Sequence, residues 1–146
     1  MKRAAILAIF LAACATSSQA PVPEPEILVE QLSTVAPAAI HVGGAISLQY
    51  RVTVHNVSDT PLTLKRVDLN SLGAGAYTLG STSRSFNLSI APGATQAVQF
   101  WTSGTVDPTI LGANGPVTLR GVLGFDSAKG SFQSVVTQQV HATPLD

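Results

Sequence analysis

The chain has little covalent or charged scaffolding. Cys14 is its single cysteine, so no intrachain disulfide can form and the core alone must hold the fold. Charged side chains make up 11% of the residues, against roughly 25% in an average globular protein. The eight basic and eight acidic side chains balance to no net charge and form no run of like charge, which argues against a nucleic-acid partner, since that calls for a basic patch. Aromatic residues are only 5%, so aliphatic side chains must supply most of the core. Past Ile27 no stretch repeats apolar residues at i, i+3, i+4 and i+7 over three turns, which excludes a helical domain.

Signatures of chemistry are equally scarce. No HExxH helix motif, Gly-x-Ser-x-Gly elbow or phosphate-cradling glycine loop is present. His41, His55 and His141 lie too far apart to form a ligand pair by local spacing, and the strands bearing His55 and His141 suit opposite sheets. Asp59, Asp68, Asp107 and Asp126 each fall near a turn or strand end, where aspartate bonds nearby backbone, with calcium held between two of them as the alternative. Ser81-Thr82-Ser83-Arg84-Ser85 reads as a solvated loop, with anion binding as the alternative. No cofactor is implied.

What is present begins at the amino terminus. Lys2 and Arg3 precede an apolar stretch over residues 4–13, and Thr16-Ser17-Ser18-Gln19 follows. That is the layout of a secretory signal, whose apolar run is about 7–15 residues. A membrane-spanning helix needs about 20, because each residue rises only ~1.5 Å. Ser18-Gln19-Ala20 has the small-x-small look of an ordinary cleavage site, but Pro21 directly after it is unfavourable. Leu11-Ala12-Ala13-Cys14 resembles the lipobox of bacterial lipoproteins at every position.

The resemblance implies that residues 1–13 are removed as a signal peptide and that Cys14 becomes a lipid-bearing terminus, anchored by palmitate-type chains. Ala15, in place of an aspartate, implies transfer to the outer membrane in a Gram-negative envelope, with the domain on its periplasmic face. Residues 14–26 then form a tether in which Pro21, Pro23 and Pro25 favour extended polyproline II. At ~3.1 Å per residue such a tether reaches up to ~35 Å. A spacer and a featureless leader fit that composition equally.

From residue 27 to 143 the pattern is of short alternating runs. Residues 27–32 are a first strand, and 35–42 an edge segment broken by Pro37. Residues 45–55 give the cleanest strand, with Ile46, Leu48, Tyr50, Val52 and Val54 on one face. Residues 62–69 slip in phase. A β-bulge near Lys65-Arg66 would bring Leu62, Leu64, Val67 and Leu69 to one face. Residues 77–79 suggest a short edge strand. Phe86, Leu88 and Ile90 share a face, as do Val98 and Phe100, with Trp101 on the other face or near an edge. Residues 104–115 are the longest irregular stretch. Val117, Leu119, Leu123 and Phe125 point inward together with Gly121, which leaves room for a bulky neighbour such as Tyr50 or Trp101. Phe132, Val136 and Val140 line the last strand, and residues 144–146 are a tail.

This pattern predicts an all-β, antiparallel, immunoglobulin-like β-sandwich of about seven to nine strands, with a closed barrel as the alternative. Val52-Thr53-Val54-His55-Asn56-Val57-Ser58-Asp59-Thr60-Pro61-Leu62-Thr63-Leu64 resembles bacterial immunoglobulin-like domains. It is also similar to the water-stress and hypersensitive-response family related to late-embryogenesis proteins. Asn56 matches the first position of that family's Asn-Pro-Asn turn, while Val57 and Ser58 replace the other two. The reading that follows is a lipid-anchored, non-catalytic envelope module with a structural, partner-binding or protective role. Its partners are the membrane, through the lipid, and another envelope protein, docked at edges near Tyr77 and Trp101. The alternative is an enzyme or metal-carrying lipoprotein whose site is assembled from loops.

Overall fold

A computed structural model describes residues 22–35, 44–106 and 116–141. Seven strands follow one another: β1 (Glu26–Val35), β2 (Ala45–His55), β3 (Leu62–Leu72), β4 (Thr82–Ile90), β5 (Thr95–Thr105), β6 (Pro116–Ser127) and β7 (Gly130–His141). All pairings are antiparallel. They form a three-stranded sheet in the order β1-β2-β5 and a four-stranded sheet in the order β4-β3-β6-β7. The chain crosses between sheets after β2, β4 and β5, which is the immunoglobulin-like sandwich arrangement. In constant-type immunoglobulin domains the fourth strand joins the first sheet. Here β4 pairs with β3 instead. The two sheets keep separate edges, so the barrel alternative is not what forms.

The core between the sheets follows from period-2 alternation. Leu48, Tyr50, Val52 and Val54 of β2 are fully buried, as are Leu62, Leu64 and Val67 of β3 and Leu123 of β6. Each such side chain contributes about 1.5–3 kcal/mol by leaving water. The phase slip in β3 is resolved by the expected bulge. Register shifts between Leu64 and Arg66 on both sides: against β6 Lys65 is the extra residue, while against β4 Phe86 and Asn87 together face Lys65. Leu62, Leu64, Val67 and Leu69 thereby reach the same face, all buried.

Gly121 lies on the inward face of β6, but its neighbours are not Tyr50 or Trp101. A Cβ there would meet Val136 Cγ1 at 2.9 Å and Leu69 Cδ2 at 3.1 Å. The adjacent strands β7 and β3 fill the space, because Gly121 pairs directly with Val136 and Leu69. Two further boundaries differ from the sequence pattern. Residues 81–85 are mostly strand, since β4 begins at Thr82 and Arg84 takes part in it. The 77–79 segment forms an isolated bridge, Thr78 to Thr105, and no strand of its own. Most of the Pro37-broken edge and of the 104–115 stretch lies outside the described residues.

Candidate functional site

Leu11, Ala12, Ala13 and Cys14 lie outside the described residues, as does His41. The remaining sequence-predicted residues fall at three places in the sandwich.

The first is a buried polar chain around Tyr77. The loop after β3 carries Tyr77 inward, where its side chain is only 3% exposed. Its hydroxyl donates to Gln31 Oε1 at 2.6 Å. With that proton committed, the Tyr50 hydroxyl donates to the Tyr77 oxygen, also at 2.6 Å. Burial pushes the Tyr77 hydroxyl up to about 12, against the opposing pull of the Tyr50 hydrogen bond. Burial, and then Tyr77 itself, drives Tyr50 higher still. The sequence pattern places Tyr77 at an exposed docking edge, and the structure corrects this. Its ring belongs to the core and offers no surface to a partner. A period-2 pattern cannot locate it, because loop residues carry no parity.

The second place is Trp101, on the outer face of the edge strand β5 and 46% exposed. It pairs in register with Gln49. Two residues further along that face, the Arg51 guanidinium stands 3.7 Å from the Glu30 carboxylate. Trp101 and Tyr77 are therefore not brought together, one being in the core and the other on the surface. The Trp101 carbonyl accepts from Arg84 Nη2 at 3.0 Å, which ties β4 to β5 across the open side of the sandwich. Thr82 and Thr102 hydroxyls, 2.7 Å apart, add to this tie. Arg84 thus serves the fold through backbone carbonyls.

The third place is Asn56, which the sequence marks as a turn residue and the structure makes a hub. It is fully buried. Its Nδ2 donates to the carbonyls of Thr60 at 2.9 Å, Ile90 at 3.1 Å and Ala91 at 3.2 Å. Its Oδ1 accepts from the Ser58 backbone N–H at 3.0 Å and hydroxyl at 2.7 Å. Its backbone N–H donates to Ala94 O at 3.0 Å, and its carbonyl accepts from Gly93 N–H at 2.8 Å. The β2–β3 and β4–β5 crossings are thereby fastened at one end of the sandwich.

Other polar residues are also tied locally. Arg66 contacts Asp68 at 2.6 Å, and Ser131 donates to Asp126 Oδ1 at 2.6 Å. Burial raises the Asp68 carboxyl, but hydrogen bonds from Arg66 and Ser83 outweigh it and hold the group below its usual value. An open depression of about 250 Å³ lies between Lys65, Asp126 and Phe132, where Lys65 Nζ donates to Asn87 Oδ1 at 2.8 Å. His55 Nδ1 is 3.0 Å from Thr95 Oγ1, on the sheet opposite to that of His141. Among the described residues, no three His, Cys, Asp or Glu side chains are grouped to hold a metal.

No family model matches the chain, and no curated protein does. Solved structures are similar in fold. The Northeast Structural Genomics Consortium target SoR45 superposes with a TM-score of 0.51 at 15% identity, covering 83% of this chain and 86% of its own. A crystal structure of a protein from Archaeoglobus fulgidus gives 0.50 at 10% identity, covering 84% and 99%. At such identities the likeness is one of fold alone.

Proposed function

We propose that the chain is a lipid-anchored, non-catalytic module of the cell envelope, with a structural, partner-binding or protective role. Leu11-Ala12-Ala13-Cys14, closing a short apolar stretch after Lys2 and Arg3, is the observation that carries this reading. The thiol is the required acceptor for thioether acylation, and two or more acyl chains give stable anchoring at ~0.8 kcal/mol per buried methylene. In a Gram-negative envelope, Ala15 directs the chain to the outer membrane, with the sandwich on the periplasmic side. Support for a non-catalytic role comes from how the domain uses its buried polar side chains. Asn56, Tyr50 and Tyr77 are committed to hydrogen bonds that hold the fold itself. Metabolic labelling with an alkyne fatty acid tests the anchor. The native chain should carry the label and Cys14→Ser should lose it. Equal labelling of the two would contradict the proposal.

A further inference from the structure

Two open sheets leave four edge strands, here β1, β5, β4 and β7. Each edge presents backbone donors and acceptors to any second strand, and proteins blunt such edges with charge, proline, bulges or side-chain cover. Three of the four are blunted. β1 carries Glu26 and Glu30, its register shifts between Gln31 and Ser33, and its Val29 N–H is capped by Gln138 Oε1 at 3.0 Å. β4 is the shortest strand at 9 residues, carries Arg84, and breaks register with β3. β5 has no charge, but Arg84 occupies the Trp101 carbonyl and Thr78 occupies both backbone groups of Thr105.

β7 is different. Its 12 residues contain no proline and no Asp, Glu, Lys or Arg. Its register with β6 continues without a shift from Gly130 to His141, so no bulge bends it away. Val135, near its middle, is 53% exposed, the highest value among the exposed large apolar side chains of the described residues.

We propose that β7 is the edge through which two copies of this chain associate, joining their four-stranded sheets into one continuous antiparallel sheet. Self-complementarity argues for a second copy as the occupant. A two-fold axis at Val135 sets that residue against its own copy, Gln133 against Thr137 and Ser131 against Gln139. All these pairs join uncharged side chains on one face, so the pairing carries no like-charge repulsion. A one-residue slip would oppose outward to inward side chains, which the period of 2 forbids. Edge pairing buries less surface than a standard interface of about 1,600 Å², so it is weak in dilute solution. It strengthens wherever chains are held close together on one surface. The proposal goes beyond the anchoring reading and stands without it, because β7 belongs wholly to the sandwich.

Thiol cross-linking of the full chain in the cells that express it tests both contact and register. Cys14 is kept, so that the chains stay together on their surface, and the parent chain run beside each variant should form no cross-link through Cys14 itself. Opposed antiparallel residues have Cα atoms about 4.5–5.5 Å apart, within the about 4.4–6.8 Å that a disulfide bridges. Under mild oxidation Val135→Cys should yield a covalent dimer at twice the 15.0 kDa monomer mass. Gln133→Cys alone and Thr137→Cys alone should remain monomeric, while the two expressed together should dimerise. Equal cross-linking at all three positions, or at Trp101→Cys on the other sheet, would overturn the proposal. So would absence of the dimer at Val135→Cys. Val135→Lys added to the Gln133→Cys and Thr137→Cys pair should leave the chain folded and abolish that cross-link, and an unchanged cross-link would overturn the proposal too.

Discussion

Asn56 fastens two of the three sheet crossings, the β2–β3 and β4–β5 connections, at one end of the sandwich. Truncating it leaves buried carbonyls and the Ser58 donors without their partner, at a cost of about 1–3 kcal/mol for each group left unpaired. Asn56→Ala should therefore lower unfolding stability by about 2–4 kcal/mol, read from urea midpoints at unchanged m-value. Gly121 acts through space and not through bonds. Gly121→Ala forces a methyl against Val136, whose branched side chain is stiff at χ1, and should cost about 1–3 kcal/mol. The two residues differ in how far the sequence revealed them. Asn56 is legible as a turn former, since its Ser58 contact is local, but Ile90 and Ala91 lie 34 and 35 positions away. Gly121 is legible as a small inward residue. Its neighbours are not, because only the strand order names them.

At the scale of elements, alternation placed most of the core. β2 is a clean period-2 strand, and the slip in β3 located its bulge, since a bulge changes side-chain parity in a way sequence preserves. Edge closure left no such mark. Thr78 reaches Thr105, and Arg84 reaches the Trp101 carbonyl, through contacts between distant loops and strands. Tyr77 enters the core on the same loop, and its hydroxyl links Tyr50 to Gln31. Tyr77→Phe should destabilise the domain by about 1–3 kcal/mol, because Tyr50 loses its acceptor and Gln31 a donor. The tyrosines also set an alkaline limit. Both titrate above their usual value of 10.0 when folded, so below about pH 10 they add no pH dependence. Above it the unfolded chain releases protons that the folded chain retains. Stability should fall by up to about 1.4 kcal/mol per pH unit for each tyrosine, with the Tyr77 part complete near pH 12. Equilibrium unfolding between those pH values should show this slope, and a shallower one in Tyr77→Phe.

For the whole molecule, an aliphatic core with its buried tyrosines and Asn56 paired internally predicts a sandwich that folds without disulfide or metal. The melting temperature of a fragment starting at Ala15 should be the same with and without chelator or reductant. A large fall with chelator would reveal a structural metal. The anchor and the sandwich are separable in the sequence because each obeys a different rule, one a local cleavage motif and the other a long alternation. The proposed anchor at Cys14 therefore rests on four adjacent residues, whereas the surface around Trp101 takes shape only when β2 and β5 pair. The anchor is also where the account is most exposed to test. Mass spectrometry of the amino-terminal peptide from membranes should find a chain that begins at Cys14 and carries thioether-linked and amide-linked acyl groups. A mature chain that begins at Pro21, or a Cys14 with a free thiol, would contradict it.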